Sequence, residues 1–262
     1  LEAEIANDLG FNRVLDSTGQ IYPRSLDYDV VTTLVQLAAS PSSLATSIRL
    51  MAGAELVTEG FKAGQVGSSA MPHKMNARSS ERINGFTVLL RGYCVAVSEL
   101  AGSQWNEGDV ACSVVRRVAL PDSFYAMDGL LETALTVLAE LGIYENAITA
   151  ELNRNLPFLA TTKILMAAVK KGIGRESAHA VIKEHSLAAV AHIRSGGEND
   201  LLQRIAGDSR ISLDLTELNA LIAAPLDFTG VARNQTLQVI AKVSEVTSRY
   251  PEASNYQPGA IR

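Results

Sequence analysis

The most informative stretch of the chain covers residues 67–76 and reads Gly67-Ser68-Ser69-Ala70-Met71-Pro72-His73-Lys74-Met75-Asn76. On both sides of it, from about residue 26 to 56 and from about residue 77 to 100, apolar residues recur at three- and four-residue steps. That spacing predicts long amphipathic helices. Gly64 and Gly67 lie near the start of the region between these helices. Glycine tolerates backbone angles that other residues avoid. We therefore expect a loop over about residues 62–76 that joins two long helices.

The helical pattern continues toward the C-terminus. A third long helix is predicted from about residue 110 to 141, with Pro121 as a kink, and Pro41 is expected to kink or divide the first. After Gly142 the helices become shorter, because glycine and proline are frequent there. No alternating strand pattern is present. We predict an all-α protein with two domains. Residues 1–143 form a long-helix bundle, a partial central domain that carries the loop, and residues 144–262 form a small helical domain.

Composition limits the classes of function. The formal net charge is −5 and 47% of the residues are hydrophobic, so bulk attraction to nucleic acid or to an anionic membrane is not expected. Cys94 and Cys112 are predicted to be reduced thiols, since they form no Cys-x-x-Cys pair. Neither a membrane-length apolar run nor a secretory signal is found. We therefore expect a cytoplasmic protein. Leu1 begins what reads as the middle of a helix, which predicts that an N-terminal portion is missing.

The loop also carries groups suited to chemistry. Ser68 and Ser69 offer hydroxyls, and Lys74, Arg78 and Arg82 are spaced by four, so they are expected to share one helix face. Free amides at a helix N-terminus together with a lysine favour a carboxylate. These residue types predict a site for an anionic substrate. Taken alone, they fit equally well a solvated basic face beside a flexible loop.

The stretch 67–76 resembles the GSSxMPxKxN sequence of the fumarase/aspartase superfamily. Further segments are similar to the adenylosuccinate lyase family within it. They are Thr18-Gly19-Gln20-Ile21-Tyr22, Ser80-Glu81-Arg82, Gln104-Trp105-Asn106-Glu107 with Ser113 and Arg116-Arg117, Leu156-Pro157-Phe158-Leu159-Ala160-Thr161, and Phe228-Thr229-Gly230. The resemblance covers nearly the whole chain and corresponds to the C-terminal half to two-thirds of the family. It favours the functional interpretation of the loop.

The resemblance implies a carbon–nitrogen lyase of purine biosynthesis. Such an enzyme eliminates fumarate from adenylosuccinate, giving AMP, and from the succinyl form of aminoimidazole carboxamide ribotide. It implies Ser68 as general base, with Lys74 and Asn76 stabilising the charge that develops in the transition state. The implied substrate-binding residues are Gln20, Ser69, Met71, Arg82, Ser113 and Arg117. No cofactor and no metal are expected. The superfamily forms homotetramers whose active sites are each built from three chains.

Two departures from the family qualify this expectation. Gly108 stands where many members have Arg, and Arg116 is a candidate to replace that contact. The family's acid histidine lies in its N-terminal portion, so we expect this chain alone to be inactive. His73 is interpreted as a binding or surface residue, and His179, His185 and His192 are interpreted as surface histidines. The alternatives are a sister enzyme such as argininosuccinate lyase, a cycloisomerase of the same fold, and a non-catalytic protein that reuses the fold.

Overall fold

The computed structural model describes residues 1–60, 71, 75–103 and 109–259. The predicted site residues Ser68, Ser69 and Lys74 lie outside the described residues, as do His73 and Gly108. The chain divides into two compact units, and the division falls between Ile143 and Tyr144, with the residues from Gln257 onward joining the first unit.

The first unit is built on three long helices. After a short helix α1 (Glu2–Asp8), the chain forms α2 (Ser25–Gly53), α3 (Arg78–Ser98) and α4 (Val110–Glu140). These bounds lie within about three residues of the predicted ones. Pro41 and Pro121 lie inside α2 and α4, and both helices continue through them. Asp109 begins α4, because its carboxylate accepts a hydrogen bond of 2.7 Å from the Cys112 amide.

The three helices pack as antiparallel neighbours in sequence order. Thr32 of α2 lies 3.6 Å from the Cys94 sulfur of α3. Tyr93 of α3 donates to Asp122 of α4 at 3.2 Å. α2 therefore runs parallel to α4, with α3 opposed to both. Their contacting faces bury a core that includes the fully buried side chains of Ile48, Leu90 and Leu130. This all-α bundle confirms the predicted fold class.

A short pair of strands closes one end of the bundle. β1 (Val57–Thr58) follows α2, and β2 (Gly142–Ile143) follows α4. They pair antiparallel, with Val57 opposite Ile143 and Thr58 opposite Gly142. The sequence did not predict these strands, because a two-residue strand is too short to show alternation. We call this end, where α3 also begins, the loop end. The other end, where α2 and α4 begin and α3 finishes, is the turn end.

The second unit consists of shorter helices. They are α5 (Glu145–Leu159), α6 (Thr161–Lys170), α7 (Arg175–Arg194), α8 (Leu201–Ala206), α9 (Leu215–Ile222), α10 (Ala232–Arg249) and α11 (Pro251–Ser254), with a 3₁₀ helix at Pro225–Thr229. Ile164, Leu201, Ile205 and Leu218 are fully buried in their common core. Among the described residues, no helix is both long and apolar enough to cross a membrane.

Candidate functional site

A buried carboxylate joins the two segments that flank residues 61–74, the stretch predicted to be a loop. Glu59 follows β1 and is only 7% exposed. Its two oxygens accept hydrogen bonds from the amides of Ser79 and Ser80 at 2.7 and 2.8 Å, and the Ser80 hydroxyl donates a third at 2.9 Å. A residue before the loop therefore caps the first turn of the helix after it. The two stems of the loop are held together by this cap.

This cap corrects one of the expectations from the sequence. Amides at the start of α3 were predicted to be free for a substrate carboxylate. Those of Ser79 and Ser80 are already bonded to Glu59, so this part of the prediction is wrong. The energetic reason is that a carboxylate at a helix N-terminus satisfies unpaired donors and interacts favourably with the helix dipole. The protein uses its own carboxylate there.

The stems also meet at Gly60 and Asn76, which line the same small cavity. Gly60 has φ +96°, a value that favours glycine, and a Cβ there would lie 2.6 Å from Cβ of Glu140. The close approach of Gly60 to the end of α4 thus depends on a hydrogen at that position. Asn76, predicted to stabilise the reacting carboxylate, is half-buried at the base of the loop.

The predicted cations at the loop end face solvent. Arg78 and Arg82 lie in the first two turns of α3, and both are exposed. Lys74, which was expected to share their face, precedes the helix and lies outside the described residues. Met71 is 44% exposed. An exposed arginine next to the base of the loop can reach an anionic group of a ligand without breaking an internal ion pair.

A second cluster of polar groups lies at the turn end. Asp27, in the first turn of α2, is 4% exposed. One of its oxygens accepts a 2.7 Å hydrogen bond from the Tyr22 hydroxyl, and the other accepts one of 2.7 Å from Nε of Arg116. Arg116 also donates to the Tyr22 hydroxyl. The Arg24 guanidinium lies 4.5 Å from the centre of the Tyr22 ring, a cation–π distance. We call Tyr22, Arg24, Asp27 and Arg116 the turn-end cluster.

The electrostatics of the turn-end cluster follow from its contacts. Burial, and then the hydrogen bond to Asp27, raise the pKa of Tyr22 above its ordinary value. Burial lowers the pKa of Arg116, but the hydrogen bond and charge of Asp27 outweigh it, so that pKa is raised. Tyrosine therefore stays neutral and arginine charged at neutral pH.

Arg116, which the sequence suggested as a spare substrate contact, is engaged in an internal ion pair with Asp27. Its guanidinium is held by Asp27 and Tyr22, and breaking that pair would leave a carboxylate buried without its partner. Arg117, the next residue, is exposed, and Ser113 lies one turn earlier and is half-buried. Gln20 is exposed just before Tyr22. Arg116 is thus a residue that positions α2 against α4, next to three predicted binding residues.

The structure separates the predicted site residues into two groups. Asn76 and Arg82 lie toward the loop end, whereas Gln20, Ser113 and Arg117 lie at the turn end. Since Tyr93 bonds Asp122 across antiparallel helices, Arg117 is level with Ser98. Arg82 is then about 24 Å away along the bundle, at 1.5 Å per helical residue. That separation exceeds what two side chains can span to one phosphate or carboxylate. Within the part of one chain that the structure describes, the two groups do not come together.

The histidines of the second unit fit part of the expectation. His179 is exposed, but His185 is only 17% exposed and its Nε2 lies 2.7 Å from the Asp208 carboxylate. The surface interpretation of His185 is therefore wrong. Hydrogen bonds from Arg210 and then from His185 lower the pKa of Asp208 well below its usual range. Within the described residues, no group of three or more His, Cys, Asp or Glu side chains could hold a metal ion.

Comparison with known proteins identifies the family. Residues 157–239 match the family model described as "Adenylosuccinate lyase C-terminus". The chain is 36% identical over 243 residues to adenylosuccinate lyase of Saccharomyces cerevisiae, and 35% identical over 243 residues to that of Schizosaccharomyces pombe. Each alignment covers 92% of this chain and 50% of the relative. The chain belongs to the adenylosuccinate lyase family. A third relative of that name, from Pyrococcus horikoshii, is 31% identical across 95% of this chain and 54% of its own length.

The chain thus spans about half the length of the curated relatives it matches. Solved structures agree on the fold. A 3-carboxy-cis,cis-muconate lactonizing enzyme from Pseudomonas putida superposes with a TM-score of 0.69 at 21% identity, covering 84% of this chain and 48% of its own. A fumarate lyase from Mesorhizobium superposes with a TM-score of 0.65 at 16% identity, covering 84% of this chain and 47% of its own. At these identities the likeness shows the fold alone.

The roles of two buried acids, Glu59 and Asp27, were not predicted from the sequence. Glu59 lies before the recognised stretch, and no local pattern links it to Ser79, twenty positions later. Asp27 resembles any first-turn acid of a helix. Tyr22 could have been singled out, because it is the last residue of a segment that resembles the family. Its partner Arg116 was instead suggested as a substrate contact. The contacts of Glu59 and Asp27 both join distant parts of the chain.

Proposed function

We propose that this chain carries the base-bearing half of an adenylosuccinate lyase active site. The reaction is the elimination of fumarate from adenylosuccinate, giving AMP, and from the succinyl form of aminoimidazole carboxamide ribotide. The observation that carries the proposal is the match to proteins of that name, at 36% identity across 92% of the chain. The location is predicted to be cytoplasmic, and the substrate is a small molecule.

The proposed chemistry begins with Ser68. A serine hydroxyl is a weak base, so its alkoxide has to be stabilised by cations and amides in a site closed to water. Ser68 removes the proton next to a substrate carboxylate. The C–N bond then breaks to release fumarate, and the acid histidine expected from the family's N-terminal portion protonates the departing nitrogen. Lys74 and Asn76 stabilise the extra negative charge on that carboxylate where it develops. Ser69 and Met71 contact the substrate from the same loop.

Glu59 and Gly60 position this chemistry without touching the substrate. The Glu59 cap holds the start of α3, so that Asn76 and Arg82 keep a fixed relation to the loop stems. Gly60 lets the first stem pass close to α4. A loop whose two ends are held in place can close over a ligand while those ends keep their positions.

We further propose that the active site is shared between chains of a homotetramer. Arg82 binds one anionic group of the substrate, and Gln20, Ser113 and Arg117 of another chain bind the rest. The separation of about 24 Å within one chain supports this, because the two groups can meet only across an interface. Large apolar side chains exposed on all three long helices also support assembly, among them Leu50 at 72%, Val88 at 65% and Val110 at 77%.

Turnover of two substrates tests the proposal. In the natural full-length protein, adenylosuccinate should release fumarate and argininosuccinate should not. Ser68→Ala should abolish turnover while adenylosuccinate still binds, since the base acts in the transition state. Activity only on argininosuccinate would overturn the substrate assignment, and undiminished turnover in Ser68→Ala would remove that serine as the base.

A further inference from the structure

A polar cleft in the second unit has no part in the proposed elimination. It lies between the first turn of α6 and the middle of α7 and has a volume of about 240 Å³. Leu165 and Ile182 form its apolar wall. Its polar lining consists of Thr161, Thr162, His179, Lys183 and Ser186. A cleft of this size and lining can hold a small polar ligand.

The Ser186 hydroxyl is the most informative group in the cleft. Its Oγ is buried and has no hydrogen-bond partner among the described residues. Buried hydroxyls inside helices normally donate to a carbonyl one turn earlier. Ser123 and Thr133 do so here, to the carbonyls of Ala119 and Gly129. Ser186 makes no such bond, so an unsatisfied polar atom lines the cleft and is suited to a ligand.

The charges around the cleft favour an anion. Lys183 forms no ion pair with any described residue, while its neighbour Glu184 is bonded to Arg210 at 2.9 Å. The cleft adjoins the N-terminus of α6, which has no side-chain cap and carries the positive end of the helix dipole. The Thr161 proton is used in a 2.9 Å bond to the Phe158 carbonyl. The donors that remain are Ser186, Lys183, Thr162 and His179.

We propose that this cleft binds the phosphate group of a small phosphorylated metabolite. A planar carboxylate is matched best by the two-pronged guanidinium of arginine, and no arginine is found among the described residues that line the cleft. The cleft instead presents hydroxyls and one lysine ammonium, a point charge with rotatable donors, from two helices. Such a set converges on a tetrahedral oxyanion. The site belongs to the second unit and goes beyond the proposed lyase reaction.

Isothermal titration of the chain with inorganic phosphate, at constant ionic strength, tests the proposal. Saturable one-site binding is expected. Lys183→Met and Ser186→Ala should each weaken it about tenfold or more, the usual effect of removing a hydrogen bond to a charged group. Lys170→Met is the matched control, because Lys170 is an exposed lysine of α6 that does not line the cleft. This control should bind phosphate as the wild type does.

Stability gives a second measurement that a purely structural role for Ser186 would not produce. Because its hydroxyl is buried without a partner, Ser186→Ala should leave the melting temperature of the phosphate-free chain unchanged or raise it, even as phosphate binding weakens. Four results would overturn the proposal. They are no saturable binding of phosphate, equal weakening by Lys170→Met, succinate binding as tightly as phosphate, and loss of binding in Arg117→Ala instead of Lys183→Met.

Discussion

Removing the Glu59 carboxylate should loosen the start of α3, next to the predicted loop. In Glu59→Ala the amides of Ser79 and Ser80 and the Ser80 hydroxyl lose their acceptor. Loss of a helix cap costs about 1 kcal/mol. Leaving the Ser80 hydroxyl, at 0% exposure, without a partner adds about 1–3 kcal/mol. We therefore expect a destabilisation of about 2–4 kcal/mol at the start of α3, and a smaller loss for Glu59→Gln, which keeps one acceptor.

Hydrogen exchange of the α3 amides measures this loss where it occurs. A cost of about 2 kcal/mol corresponds to exchange about 30-fold faster at Ser79 and Ser80, since 1.4 kcal/mol is a factor of ten. Glu81→Ala is the matched control. Glu81 is an exposed acid in the same first turn, and its contribution is limited to the helix dipole, about 0.5 kcal/mol. Equal protection in Glu59→Ala and Glu81→Ala would refute the capping role.

Three further predictions concern the scaffold. Gly60→Ala should lower the free energy of unfolding by about 1–3 kcal/mol, because φ is +96° and the added methyl meets the end of α4. Gly92→Ala, in open space inside α3, is the control and should raise that free energy by about 0.5–1 kcal/mol. Urea unfolding measures both. Asp27→Asn should lower the pKa of Tyr22 toward its ordinary value, seen in an NMR titration, since the carboxylate helps to raise it; an unchanged pKa would refute the contact. The pKa of Asp208 is lowered in the folded protein, so its stabilising contribution is present above about pH 4 and is lost as pH falls further. Asp208→Asn should therefore have a lower melting temperature than the wild type at pH 7. The difference between the two melting temperatures should shrink below pH 4.

Helices were predictable because their signal is local and long. The apolar steps within α2, α3 and α4 repeat over many turns, so their bounds came out within a few residues. Two prolines inside these helices did not end them, since packing on both sides holds the helices together. The two-residue strands β1 and β2 are set by pairing between positions far apart in sequence, and no local pattern encodes that pairing.

The candidate site was predictable by residue type but not by geometry. Spacing by four placed Arg78 and Arg82 correctly in the first turns of α3. The family resemblance grouped Arg82 with Arg117 as substrate-binding residues, and antiparallel packing puts them at different levels of one bundle. The departure at Gly108 suggested Arg116 as a substrate contact, but Asp27 already holds its guanidinium. Burial creates such internal pairs, and burial depends on the tertiary fold.

The shared site is tested most directly by mixing two inactive variants of the natural full-length protein. Ser68→Ala removes the proposed base, and Arg117→Ala removes a cation at the turn end that is proposed to serve the site of another chain. Each variant alone should release almost no fumarate from adenylosuccinate. After the chains are allowed to exchange, random tetramers should contain both intact groups in about a quarter of their sites, so about a quarter of wild-type activity should return. A mixture that exchanges chains and stays inactive would contradict the account.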